Sequence, residues 1–436
     1  MASHEKVIHE VIVIGGGLMG SAAAWHLSNY GKKVLLLEKQ ASSYSSGSSK
    51  GAARIVRSSN IENDELWSYL HNSSVKEVEK LIRFLNRKGT DLKMENVYTT
   101  SPVSYIGRLE ELDQLLVNLK KQDVNFEVAS TIEQAKSKFG VNLKKNTFLQ
   151  REFNSYSGTF NPQVLMQYLH KAVTQKGGQI WYNVNAERIE LKDKLYSISV
   201  VDSKGMPKVL YAKQLISAAG PYTGKLLTEI APYFDKLIHP QRVFLVFMKI
   251  KNELFRSLTA IQKQQLKNGF PLIDRSWPKK TDEFFAMIEN CDPQGNPTLK
   301  AGGHFQRSYI PNLDAVWQQE LCTEEINWAK EKIRDYLAFL NLPVGFDQLN
   351  TVDTYSCVYS LTATEVPYVT PAFKHDKSKD ENLVVIAGMS GIGAKGALCY
   401  GRIAANLLTG KKQEDHFYKT AVSKLGYERL ATSTLS

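Results

Sequence analysis

Cysteine is scarce in this 436-residue chain, long apolar runs are missing, and acid is outnumbered by base. Each shortage removes a class of protein. The four cysteines, Cys291, Cys322, Cys357 and Cys399, are far apart and form no CxxC pair. Neither a zinc site nor a disulfide framework is indicated, no metal is expected, and buried free thiols are the default. No stretch reaches the ~18–20 apolar residues of a membrane span. The run nearest to one, Val11 to Trp25, is broken by glycines. The opening residues, MASHEKVIHE, lack the apolar core of a signal peptide, so the chain reads as cytoplasmic with no membrane partner. Tandem repeats and long low-complexity tracts are absent as well.

The formal charge of +11 comes from scattered basic residues rather than a block. Lysine pairs stand at Lys120–Lys121, Lys144–Lys145, Lys279–Lys280 and Lys411–Lys412, with no stacking-aromatic motif beside them. A solvated basic surface accounts for them better than nucleic-acid binding, though such a field draws in anionic substrates. With 43% hydrophobic and 23% charged residues, the composition is that of a soluble globular protein long enough for two domains.

What is present begins at residue 10. EVIVIGGGLMGSAAAWHLSNYGKKVLLLE reads as strand, glycine turn, helix, strand and acid in register. Gly15 allows the tight turn, Gly17 admits a pyrophosphate to the backbone, and Gly20 lets the helix pack on the strand. The helix N-terminus, including Leu18 and Met19, favours negative charge, and Glu38 is placed to accept hydrogen bonds from a ribose. The motif does not choose between NAD and FAD.

Farther along, Ser42 to Ser49 is a short Ser-rich loop after the second strand. Residues 65–90 carry Leu66, Leu70, Val75, Val78, Leu81 and Leu85 in helical register. Asn161-Pro162 opens a helix through Lys176 that stops at Gly177-Gly178. A strand is expected at 179–184, a hairpin over 191–210 turning near Lys204-Gly205, and a buried strand at 214–219 before Gly220-Pro221. Segments 241–249 and 283–288 are β-rich and 323–339 is helical. A strand at 383–387, a glycine loop at 388–393 and a helix from about Lys395 to Leu408 make a second site for an electron-rich group.

Five segments in order, GGGLMG at 15–20, GSSKGAARIVR at 47–57, ISAAGPYT at 216–223, KAGGH at 300–304, and CVYS at 357–360 with GMSGIGAKGALCYG at 388–401, carry a resemblance. The chain resembles the flavin-dependent amine oxidases of the monomeric sarcosine oxidase group, in the D-amino-acid-oxidase (DAO) superfamily, over nearly its whole length. The resemblance implies FAD, with Gly15, Gly17, Leu18, Met19, Gly20, Glu38, Lys39, Val184, Ala219 and Gly220 among its contacts. It places Ser48, Ser49, Lys50 and Gly51 along the isoalloxazine and phosphates, and Gly391, Gly393, Ala394 and Lys395 at the ring's far end. Arg54 stands beside the flavin, and Arg57 and Lys395 hold a substrate carboxylate. Lys300 stands over the ring where oxygen reacts, His304 lies in the substrate pocket, and Cys357 carries a thioether to the flavin. Lys50 replaces a frequent His, and there is extra length around 251–280 and 372–382. Gly303 replaces an aromatic residue, which suggests a roomier pocket.

The residue types suit that chemistry independently. A buried carboxylate demands a cation with directional donors, which arginine supplies. Arg54 and Arg57 would share a face if their segment were helical; the alternative is surface pairing with Glu62 and Glu65. Flavin reduction places negative charge near a helix N-terminus and lysine, a reason for SGIGAK. Lys300 and His304, four apart on a β-like segment, point to one side by alternation. Cys357 sits among Tyr355, Ser356 and Tyr359, where an inert buried thiol is the ordinary outcome.

The expected architecture is α/β: a Rossmann-like, glutathione-reductase-like FAD domain (1–92, 157–232 and 365–436) interleaved with an α+β substrate domain on an antiparallel-rich sheet (93–156 and 233–364). The expected protein is a monomeric FAD amine oxidase, taking a secondary (N-alkyl or cyclic) amino acid to the imine and O2 to hydrogen peroxide. Its partners are that amino acid and O2. The alternatives are a dehydrogenase with a non-oxygen acceptor and a non-catalytic flavoprotein.

Overall fold

The computed structural model describes residues 6–59, 66–121, 124–310, 312–342, 344–374, 378–413 and 415–435. Glu62 and Glu65 lie outside them. The apolar run predicted to be a strand is β1 (Ile8–Ile14), whose last four residues are all buried, as a strand covered on both faces requires. It runs parallel to β2 (Val34–Leu37) on one side and to the strand Pro207–Ser217 on the other. The parallel set continues with Gln179–Trp181 beyond β2, and with Lys379–Ala387 beside the C-terminal half of Pro207–Ser217. An antiparallel meander, Asn185–Lys192 and Leu195–Val201, leads into that long strand. The sequence reading had one hairpin here; Asp193 and Lys194, both with positive φ, make an additional turn. Strand Gln179–Trp181 is also three residues shorter than expected.

Helices cover one face of this sheet. α1 (Leu18–Asn29) is rich in alanine and serine because another helix crosses it closely: a Cβ on Gly401, in Ala397–Thr409, would lie 2.6 Å from Ala22. α2 (Leu66–Asn86) realises the predicted amphipathic stripe, with Leu70, Val78, Leu81 and Leu85 fully buried. Each such side chain contributes roughly 1.5–3 kcal/mol of transfer free energy. The helix Pro162–Gln175 begins at Asn161, whose side chain caps it by accepting the N–H groups of Gln163 and Val164.

The second large sheet has nine strands, antiparallel except where Val103–Arg108 runs parallel to Leu272–Asp274. Its strand His239–Ile250 lies between Leu349–Leu361 and Pro297–Gly303. Alternation divides this strand between two surroundings. Phe244, Val246 and Met248 pack in one core with Trp328, Ile333 and Leu337 of the helix Thr323–Phe339. Val243 and Leu245, with Phe247 against them, join Tyr355 and Cys357 on the opposite face. A small sheet of Arg54–Val56, Gly158–Phe160 and Tyr98–Thr100 stands beside the two large ones. Among the described residues no helix is long and apolar enough to cross a membrane. All four cysteines are free; Cys291 and Cys322 are exposed, against the expectation of burial.

Candidate active site

Four loops leave the carboxyl ends of adjacent parallel strands: Gly15–Gly17 after β1, Glu38 after β2, Ala218–Gly220 after Pro207–Ser217, and Gly388–Gly391 after Lys379–Ala387. Crevices at this edge are where open α/β sheets bind ligands. Gly15 has φ +99°, and a Cβ there would lie 2.4 Å from the Ala218 carbonyl oxygen. A Cβ on Gly20 would lie 1.8 Å from the Gly15 carbonyl oxygen, so helix and turn meet with no room for a methyl group. The first turn of α1 has no acidic residue and its cap, Gly17, offers no side chain. Those N–H groups are therefore suited to an anion, and among the described residues Ser49 Oγ accepts the Leu18 N–H at 3.3 Å.

Glu38 is 6% exposed and braces this turn. Its carboxylate accepts the N–H of Gly16 at 2.7 Å and that of Gln40 at 2.8 Å. Burial raises its pKa while these backbone bonds lower it. Val184 lies against it, its N–H donating to the Glu38 carbonyl at 2.9 Å. Beneath the turn is a network the sequence did not signal. The Gly16 carbonyl accepts from Ser21 Oγ at 2.7 Å and from the Tyr44 hydroxyl at 2.5 Å. Because the Ser21 hydroxyl is so used, His170 Nε2 donates to Ser21 at 2.7 Å and Nδ1 accepts from Tyr182 at 2.8 Å. Burial holds His170 down to about 4, hence neutral. Lys39 turns outward: its ammonium pairs with Asp314 at 2.6 Å and covers the Tyr222 ring at 4.5 Å.

The loop 47–57 lies under the second sheet. Arg54 donates to the carbonyls of Ala53, Ser48 and Lys50. Ser48 Oγ donates to the Val358 carbonyl at 2.9 Å, and the Lys50 ammonium lies 4.4 Å from the Tyr355 ring centre. Arg54–Val56 is a strand, so the helical spacing offered for Arg54 and Arg57 does not apply. Residues three apart on extended chain point to opposite sides. Arg57 is 9% exposed and sits 5.5 Å from the Tyr105 ring centre, with no ion pair among the described residues. The Tyr105 hydroxyl is itself buried without a hydrogen-bond partner.

Lys300 is 1% exposed and roofs the same loop. Its ammonium donates to the Ala53 carbonyl at 2.5 Å and to the carboxylate of Glu289. Glu289 stands at a register shift of its strand and also accepts the N–H groups of Ala52 at 2.5 Å and Ala53 at 3.1 Å. Burial first, and then the Arg54 charge, lowers Lys300 to about 7, against the pull of Glu289. Cys357 opposes Val243 and Lys300 opposes Phe247, which places both on one face of the sheet. Burial pushes the Cys357 thiol up, while the Arg54 charge lowers it. Glu289 escaped the sequence reading, since nothing local links it to residues 52–53.

Two other expectations change. Strand Pro297–Gly303 ends before His304, so strand alternation with Lys300 does not extend to it, and the charges that act on it are those of Arg307, Lys280 and Arg275. Burial and then those charges hold His304 down to about 3, and its Nδ1 is buried without a partner. Gly303 creates no extra room: a Cβ there would lie 2.4 Å from Trp328 and 2.5 Å from the Glu283 carbonyl oxygen. The helix Thr323–Phe339 fills the space, so the roomier pocket is withdrawn. Gly393, Ala394 and Lys395 form a short 3-10 turn before the helix Ala397–Thr409. The Lys395 ammonium lies 6.0 Å from the Trp67 ring centre. Gly391, at φ +80°, meets the Tyr359 ring, where a Cβ would lie 2.7 Å from its carbons.

The family model described as FAD dependent oxidoreductase (DAO) matches residues 10–407. The chain is similar to the peroxisomal sarcosine oxidase of Homo sapiens, 27% identical over 422 residues covering 92% of this chain and 93% of that protein. It is similar to the N-methyl-L-tryptophan oxidase of Escherichia coli (strain SE11), 22% identical over 426 residues, 93% of this chain and 96% of that one. Among solved structures, NikD, described as an unusual amino acid oxidase essential for nikkomycin biosynthesis, superposes with a TM-score of 0.69 at 18% identity. That alignment covers 96% of this chain and 97% of NikD.

Proposed function

This chain belongs to the DAO family of FAD-dependent oxidoreductases, and from that premise we propose that it oxidises the C–N bond of a secondary amino acid to an imine. The observation that carries the substrate class is Arg57, a buried guanidinium with no acid paired to it among the described residues. A carboxylate brought by the ligand supplies the missing partner. FAD fits the crevice: the open N-terminus of α1 suits its pyrophosphate, Glu38 its ribose, and the loop 47–51 its ring system. The group supplies a two-electron acceptor.

The chain's own residues do the rest. Arg57, with Lys395 as the second cation of this reading, orients the substrate by its carboxylate. His304, neutral at physiological pH, serves in this reading as a hydrogen-bonding group of the substrate pocket, its Nδ1 buried without a partner among the described residues. With its conjugate acid held down to about 3, it is too weak a base to take the proton of a substrate ammonium. Lys300 sets a positive charge over the loop where oxygen is reduced to hydrogen peroxide. Cys357, on the same face as Lys300, is the proposed point of covalent attachment; flavin that stays with the acid-precipitated chain is the mark of that link. The two sheets support a division into an FAD domain (1–92, 157–232 and 365–436) and a substrate domain (93–156 and 233–364). We read the site of action as cytoplasmic. The carboxylate of Glu289 on Lys300 favours one second reading, an acceptor other than oxygen, because it offsets the charge that assists oxygen.

The test is Arg57→Ala. Its KM for N-methyl amino acids rises by the equivalent of roughly 2–4 kcal/mol, since a charge-assisted bidentate pair is lost. Simple carboxylates no longer perturb its flavin spectrum. Equal oxidation of amines with and without a carboxylate by the unmodified enzyme would overturn the assignment.

A further inference from the structure

The roof holds a second arginine that this chemistry leaves without a task. Arg307 lies between the strand Pro297–Gly303 and the short strand Ser308–Tyr309, and its guanidinium stands 5.1 Å from the Tyr359 ring centre. Its Nε is buried and has no hydrogen-bond partner. Among the described residues no acid pairs with it. The two acids whose charge acts on it are engaged elsewhere, Glu283 with Arg275 at 3.3 Å and Glu365 with Lys280 at 3.3 Å. Three residues back, His304 Nδ1 is also buried and unpartnered.

This cluster borders the flavin end of the crevice. Tyr359 is two residues from Cys357 on one strand, and its ring occupies the space beside Gly391. The Arg275 N–H donates to the carbonyl of Ile106, the neighbour of Tyr105 against which Arg57 lies, and the Arg275 side chain pairs with Glu283, whose carbonyl accepts the His304 N–H at 3.4 Å. The two unpaired guanidiniums therefore border one region. Burying a guanidinium without an acid is unfavourable, and stacking on a tyrosine ring offsets only part of that cost. The planar guanidinium fork is the group that matches a carboxylate bidentately.

We propose that Arg307 receives a second acidic group of the substrate, so that the preferred amine is a dicarboxylic secondary amino acid held by Arg57 at one end and Arg307 at the other. The inference rests on the proposed carboxylate site at Arg57 and adds a second point of attachment. His304 then stands next to the second carboxylate and, with its ring proton on Nδ1, donates one hydrogen bond to it.

Binding tests the two layers separately. The flavin-loaded enzyme is titrated with propionate and with succinate, reading the change in the flavin spectrum. Succinate binds about tenfold or more tighter than propionate, as one added charge-assisted pair implies. In Arg307→Gln that preference falls to near one, and Arg307→Lys retains part of it. Steady-state kinetics follow the same order, with kcat/KM for N-methyl-L-aspartate over N-methyl-L-alanine collapsing in Arg307→Gln. Propionate binding without any preference for succinate overturns the role of Arg307 and leaves Arg57 in place. A variant that weakens both acids equally also overturns it, since a structural contact with Tyr359 explains that result. Failure of both acids to perturb the spectrum removes the Arg57 reading and this one with it.

Discussion

Around Gly15–Gly20 the chain meets its ligand with backbone. Free N–H groups, a positive-φ glycine and one braced carboxylate define the place, and the side chains behind them are small or uncharged. Across the crevice the antiparallel sheet offers side chains instead. Lys300, Arg307 and His304 are wholly or partly buried there, with Arg57 at the end of the loop beneath, and of these four only Lys300 has an acid in contact among the described residues. A backbone cradle suits any dinucleotide, so it identifies a cofactor class and little more. A roof of under-compensated cations is costly to keep without a ligand and therefore says more about the substrate. On the proposed reading the two regions divide the work: cofactor recognition by main chain, substrate selection by charge.

The largest effect expected from breaking the cradle is at Gly20. Its Cβ would lie 1.8 Å from a backbone oxygen that cannot move without displacing β1 or α1. Gly20→Ala should cost upward of ~4 kcal/mol, in the range reserved for severe overpacking, and yield protein without flavin. A yellow, normally melting Gly20→Ala protein would show that the turn can adapt and that the cradle is softer than its geometry implies. Next in size is the roof. Lys300→Met should keep anaerobic reduction by substrate yet slow the oxygen reaction by the equivalent of ~3–5 kcal/mol. Because Glu289 then loses its ammonium partner and keeps only the hydrogen bonds from the N–H groups of Ala52 and Ala53 among the described residues, the double variant Lys300→Met with Glu289→Gln separates lost charge from lost order. An unchanged oxidative rate by stopped flow in both would favour an acceptor other than oxygen.

The same division decides how much could be read from sequence. The cradle was legible because its parts are contiguous: strand, glycines, helix, strand and Glu38 fall within thirty residues, each with a local signature. The roof was legible only through resemblance. Lys300 and Cys357 were named that way, but the acid paired with Lys300 is Glu289, eleven positions away across a register shift that no periodicity announces. Gly303 misled for a related reason. A missing side chain suggests space only if nothing else enters, and Trp328 enters from a helix more than twenty residues later. His170, Ser21 and Tyr44 were hidden because buried polar networks join distant segments whose members look ordinary in isolation.

The smallest expected effect bears on what the roof's charge is worth at different pH. Lys300 drops from an ordinary 10.5 to about 7 through burial and then the Arg54 guanidinium, while Glu289 and the Cys357 sulfur pull the other way. Between those two values the unfolded chain keeps this proton and the folded one releases it. The group's contribution to stability therefore rises with pH across that window and is at its least favourable below about 7. Activity should run in the opposite sense. If the ammonium assists oxygen, the reoxidation rate is highest below about pH 7 and falls above it, approaching tenfold per unit once the neutral amine dominates. Lys300→Met removes that fall and leaves a slow, level profile. Stopped-flow mixing of reduced enzyme with oxygenated buffer, from about pH 6 to about pH 9 on either side of that transition, reads both curves. A wild-type rate that stays level over the same range would mean that the charge reaching oxygen does not come from Lys300, and the roof would then owe its effect to the arginines around it.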